Sequence, residues 1–81
     1  MADFHSHSAE RIDARGRPCP LPILALAKAV RGRQPGDVVE LWATDPAVQA
    51  DLDAWCQATG HELLSIQREG EVWQARVRLR G

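Results

Sequence analysis

Cys19 stands in the run Arg15-Gly16-Arg17-Pro18-Cys19-Pro20-Leu21-Pro22, and its neighbours point to thiol chemistry. Free backbone N–H groups at a helix start and nearby cations both favour the thiolate, the nucleophilic form of the sulfur. Arg15 and Arg17 supply the charge, and a helix beginning at Cys19 or Pro20 supplies the N–H groups, so a lowered Cys19 pKa is expected. Pro18, Pro20 and Pro22 remove backbone freedom and donors around the thiol, which suits a rigid, exposed loop that presents a sulfur. Most free cysteines are instead small apolar packing residues. A proline-bracketed, arginine-flanked turn is a poor core position, and the reactive reading is preferred for Cys19.

The remaining candidates carry less. Cys56 is adjacent to Trp55 and one position off a helical stripe, so it is read as a packing residue; its distance from Cys19 in sequence fits neither a Cys-x-x-Cys pair nor a zinc motif. His61 is expected to cap or solvate a helix end without a catalytic role. Asp3, His5 and His7 lie in a polar terminal segment without a fourth ligand, so no metal site is expected. Arg76, Arg78 and Arg80 alternate along one strand face, most simply a solvated face, with partner or RNA docking as the other reading.

Positioning Cys19 requires elements on either side of it. Residues 10–14 place Ile12 between charged neighbours, consistent with a half-buried strand ending at Arg15-Gly16. Ile23, Leu26, Ala27 and Val30 then fall at helical spacing, predicting a helix over about residues 20–31 that stops before Pro35-Gly36. Val38-Val39-Glu40-Leu41-Trp42-Ala43 reads as a central strand. Asp45 as side-chain cap and Pro46 in the first turn predict a second helix, with Val48, Leu52, Trp55 and Thr59 as its stripe and Gly60 as its stop. Residues 63–68 and 72–80 flank Glu69-Gly70-Glu71 as a hairpin, its second arm dry on one face and arginine-lined on the other. Right-handed crossovers then give an α/β (α+β) two-layer sandwich, βαβαββ, with two helices on one face of a mixed four-stranded sheet.

The chain has 81 residues, 44% of them apolar and 26% charged, which fits one domain over residues 10–81 behind a mobile tail over residues 1–9. A domain this small cannot enclose a deep pocket, so its chemistry belongs at the surface. Ten basic against eleven acidic residues give a formal charge of −1, which disfavours nonspecific DNA binding. No apolar run approaches the roughly 20 residues of a membrane span, and the N-terminal segment has neither the basic start nor the apolar run of a signal, so a cytoplasmic location is expected. A monomer is taken as the working oligomeric state, which the residues themselves do not decide.

The spacing Asp13-x-x-Gly16-x-x-Cys19-Pro20-x-Pro22 resembles the signature of the TusA/SirA-like sulfur-carrier family, small proteins with one essential Cys-Pro-x-Pro cysteine. The resemblance extends through Lys28, Gln34-Pro35-Gly36-Asp37, Thr44-Asp45-Pro46-Ala47 and Gly60-His61-Glu62-Leu63, covering about residues 10–80. It implies a sandwich similar to the C-terminal domain of translation initiation factor three, in agreement with the order read from the pattern. It also implies that Cys19 accepts sulfane sulfur as a persulfide from a cysteine desulfurase or rhodanese and passes it to an acceptor protein. The routes include tRNA thiolation, molybdenum-cofactor maturation and sulfur oxidation. Asp13, Gly16, Pro20 and Pro22 carry over as loop-shaping positions, and no cofactor beyond the covalent persulfide is implied.

Partner docking is expected on the rim around Cys19, chiefly Arg15 and Arg17 with the exposed part of the first helix. Two rival readings come from other classes: an RNA-binding or regulatory module using the arginine face, and a redox switch that would need Cys19 and Cys56 within bonding range.

Overall fold

The computed structural model describes residues 10–80, in the order β1 (Glu10–Ala14), α1 (Leu21–Ala29), β2 (Val38–Ala43), α2 (Val48–Thr59), β3 (Glu62–Glu69) and β4 (Val72–Arg78). The tail expected over residues 1–9, with Asp3, His5 and His7, lies outside the described residues. A short 3-10 turn, Val30–Gly32, closes α1, so the helical stretch ends where the glycine and proline signals placed it.

The four strands form one sheet in the order β1-β2-β4-β3. β1 runs parallel to β2, with Ile12 opposite Leu41 and Asp13 opposite Trp42; β2 and β3 both pair antiparallel with β4. Thus β2 and β4 are the inner strands, as the apolar run of β2 predicts, and β1 and β3 are the edges. Gly70, at φ +62, opens the tight turn between β3 and β4, a conformation in which a glycine costs least. β3 is interrupted by an irregular register between Leu63 and Ser65, which leaves Leu64 exposed.

One sheet face is dry. Val39, Leu41 and Ala43 of β2 and Ala75 and Val77 of β4 pack with Leu26 of α1 and with Val48, Leu52 and Cys56 of α2. Each fully buried aliphatic side chain here contributes about 1.5 to 3 kcal/mol through the area it removes from water. On α2 the most buried stripe is Val48, Leu52 and Cys56, while Trp55 is half-buried against the core and Thr59 is exposed. The expected stripe was therefore rotated slightly: residues four apart lie on nearly one line, and Cys56 continues the Val48–Leu52 line better than Trp55 does.

Two local expectations are corrected. Helix α2 begins at Val48 behind Ala47, and no side chain caps it; Asp45 instead offers its backbone carbonyl to the Val48 N–H at 3.1 Å. The Pro46-Ala47 turn thus lies between Asp45 and the helix, leaving the Asp45 carboxylate to serve elsewhere. His61 is not a solvated helix stop: its ring tilts against Trp55 at 5.0 Å, and its Nδ1 accepts the Arg80 N–H at 3.0 Å. Among the described residues, no helix is long and apolar enough to cross a membrane.

Candidate thiol site

Because β1 and β2 are parallel neighbours, the loops that leave them emerge side by side at one end of the sheet. The β1–α1 loop carries Arg15 to Pro20, and the β2–α2 loop carries Thr44 to Ala47. They are tied directly: the Gly16 N–H donates to Thr44 Oγ1 at 2.9 Å. Gly16 has φ +79, a left-handed conformation that a side chain would strain, so its motif position has a backbone reason.

The loop's other motif residues divide the work. Asp13 Oδ1 accepts the Arg15 backbone N–H at 3.1 Å and so bends the chain out of β1. The Arg15 side chain completes a fork on the same carboxylate, Nε to Oδ1 at 2.9 Å and Nη2 to Oδ2 at 2.7 Å. That guanidinium also lies 5.2 Å from the Trp42 ring, with Arg11 over the same ring at 4.0 Å. Held by Arg15, the Asp13 carboxyl drops from 3.8 to about 2.

Cys19 and Pro20 are exposed, whereas the Pro22 side chain is fully buried. Helix α1 starts at Leu21 after Pro20, with the Leu21 N–H bonded to the Pro18 carbonyl at 2.8 Å and the Leu24 N–H to the Pro20 carbonyl at 3.1 Å. Pro22 therefore pins the first turn into the core while Cys19 stays outside it. The Cys19–Pro20 peptide is cis.

The electrostatic setting of the thiol is the opposite of the one expected from sequence. Cys19 Sγ, a carboxylate oxygen of Asp45 and one of Asp51 lie within 4.8 Å of one another. The Cys19 thiol is pushed up, first by the pull of the Asp51 carboxylate on its proton, then by desolvation, then by the negative charges of Asp51 and Asp45. The lowered pKa fails for two reasons. Arg15 is committed to Asp13 and Trp42, and the adjacent loop and the first turn of α2 bring in Asp45 and Asp51, acids that local sequence does not show. Arg17 is exposed and makes no ion pair with the described residues. Asp45 and Asp51 were missed as site residues; the parallel pairing of β1 with β2, with Asp51 in the first turn of α2, was the available signal.

The two cysteines are unbonded and differ in setting, Cys19 exposed and Cys56 buried in the core. Burial pushes the Cys56 thiol up, assisted by Asp53. The arginine row is far from unpartnered. Arg78 and Arg80 approach Glu62 at 3.8 and 3.4 Å, and Arg76 lines a shallow polar groove with Glu40, Ser65, Gln67 and Gln74 on the open sheet face.

Residues 10–79, including this entire loop, match the family described as Sulfurtransferase TusA. The chain belongs to that family. Among its TusA-family relatives is the sulfur carrier protein TusA of Allochromatium vinosum, 41% identical over 70 residues that cover 86% of this chain and 87% of that protein. YrkF of Bacillus subtilis is 44% identical over 61 residues, 75% of this chain but only 33% of YrkF, so this chain spans about a third of that relative. The TusA-family fold is shared with the crystal structure of a SirA-like protein from Desulfitobacterium hafniense, at a TM-score of 0.75 and 20% identity over 88% of this chain and 97% of that one.

Proposed function

We propose that this protein is a cytoplasmic sulfur carrier whose Cys19 accepts a sulfane sulfur as a persulfide and delivers it to a partner protein. The observation that carries the reading is an exposed cysteine on a loop braced by buried Pro22, in a chain of the sulfurtransferase TusA family. An exposed thiol can enter a partner's active site, and a carrier requires no substrate pocket of its own.

The exchange balances without an oxidant. The Cys19 sulfur attacks the outer sulfur of a donor persulfide, the donor's S–S bond breaks, and the donor leaves as a thiol that takes the proton Cys19 gave up. Cys19–S–SH is then attacked at its outer sulfur by an acceptor thiolate, and Cys19 is released and reprotonated. The covalent persulfide is the only group the chemistry needs. The donor would be a cysteine desulfurase or rhodanese, and the acceptor would belong to tRNA thiolation, molybdenum-cofactor maturation or sulfur oxidation.

Docking falls on the rim of Cys19. Arg17 offers a charge that no described residue occupies, whereas Arg15 is held by Asp13. Leu21 and Leu24 are exposed at 39% and 57%, and their spacing of three puts them on one outward face of α1 beside the thiol. The RNA reading finds less support, since Glu62 and Glu40 interrupt the arginine face.

Incubation with a persulfide donor is expected to add one sulfur, about 32 Da, to the Cys19 peptide by mass spectrometry. Cys19→Ser should abolish the gain and Cys56→Ser should retain it. Loading that survives Cys19→Ser and disappears with Cys56→Ser would reverse the assignment.

A further inference from the structure

Two acids flank the Cys19 thiol. Asp51 comes from the first turn of α2, Asp45 from the loop before it, and both bring a carboxylate oxygen within 4.8 Å of Cys19 Sγ. Asp45 Oδ2 is closed off from solvent and accepts no hydrogen bond from the described residues. A carboxylate oxygen in that condition is destabilised until a proton donor reaches it. The proton-bearing side chain inside the cluster is the Cys19 thiol. Its own loop supplies the opposing charges, Arg15 and Arg17; Arg15 is forked onto Asp13, and Lys28 is in the last turn of α1, at the far end of that helix.

We propose that Asp51, backed by Asp45, is the proton acceptor for the transferring sulfur, so that the unloaded carrier rests as a protonated Cys19 thiol and ionises as sulfur arrives. This rests on the carrier reading of Cys19. During loading the Cys19 S–H proton moves to the Asp51 carboxylate, the sulfur attacks the donor's outer sulfur, and the departing donor thiolate takes the proton back from Asp51. The carboxylate ends as it began. The same negative charges act on the loaded form, favouring neutral Cys19–S–SH over its anion. The neutral form is the better target for an acceptor thiolate, because an anionic outer sulfur repels the incoming charge. The upward push that Asp51 and Asp45 exert on the thiol agrees with this direction.

The test measures iodoacetamide labelling at the Cys19 peptide of the full chain, from about pH 6 to pH 10, because alkylation reports the thiolate. Asp51→Asn is expected to move the inflection to lower pH and to raise the rate at pH 7 roughly threefold or more; the gain is smaller than the gain in thiolate, since a less basic sulfur is a weaker nucleophile. Asp45→Asn should shift it the same way by less, and Asp51→Glu should restore the wild-type profile. Asp53→Asn, an exposed acid on the same helix, is the control for general charge. Buried Cys56 serves as an internal sensor of folding, since label on it marks an opened chain; if Asp51→Asn labels Cys56, the Asp45→Asn profile decides. An unmoved inflection, or an equal shift in Asp53→Asn, overturns the proposal. Sulfur loading of wild type from glutathione persulfide is read in parallel. If the inflection moves and no sulfur is gained, the carrier reading fails and takes the transfer step with it, and only the pairing of Asp51 with the resting thiol stands. Normal loading with an unmoved inflection gives the reverse.

Discussion

Asp13 is the residue whose carboxyl the fold displaces to about 2, and Arg15 is the first cause, through its side chain and then its backbone N–H. The folded value lies below the ordinary 3.8, so the unfolded chain binds more protons in between. The contribution is therefore present above about pH 4 and disappears as pH falls through about 2. Asp13→Asn should lower the melting temperature at pH 7 relative to wild type, and the two curves should converge as the pH drops from 4 toward 2. Because the pair is exposed, added salt should narrow the gap at pH 7. Equal differences at pH 7 and pH 2 would contradict this. The pairing also explains one limit of the sequence reading. Asp13 lies near the end of β1 and Arg15 in the turn after it, so their fork is local, but Trp42, whose ring the Arg15 guanidinium also approaches, is brought there by the register of β1 with β2.

The elements were more legible than the contacts between them. Proline and glycine signals located the ends of α1, alternation located β4, and the apolar run located β2, because each depends on neighbours within a few residues. The start of α2 and the acids beside Cys19 were not legible locally. Asp45 has the side chain of a good cap, yet the intervening Pro46-Ala47 turn carries the helix start past it, and the carboxylate turns to the neighbouring loop. For partner contact the relevant element is α1. Leu24 is more than half exposed, so Leu24→Ala should leave stability within about 0.5 kcal/mol. Combined with Arg17→Glu it should slow sulfur transfer to or from a partner protein roughly threefold or more and reduce its salt dependence, while transfer from a small persulfide stays unchanged. Arg76→Glu on the open sheet face is the matched control, and transfer kinetics at two ionic strengths decide between them. Loss of transfer with the sheet-face change alone would move docking to the arginine row.

At the scale of the molecule, a single layer of two helices over one sheet leaves little redundancy in the core. Leu52 is fully buried, and Leu52→Ala should cost about 2 to 5 kcal/mol in urea denaturation while the folded fraction still loads sulfur on Cys19. A loss of loading in folded protein, with no loss of stability, would place Leu52 in the site instead of beneath it. The sheet's strand order has a further consequence for crowded conditions. Among the described residues, the edge strands β1 and β3 each pair on one side only, and an unpaired edge can template a strand from another copy. Along β1, Glu10, Arg11 and Asp13 alternate in sign at the surface, so an added strand would have to match an uneven charge row. Along β3, the broken register at Leu63 and Ser65 interrupts the ladder before it can be copied. Such edges offer a strand from another copy no uniform ladder to extend, so a carrier of the kind proposed would keep its thiol out of end-to-end sheet stacks at high concentration.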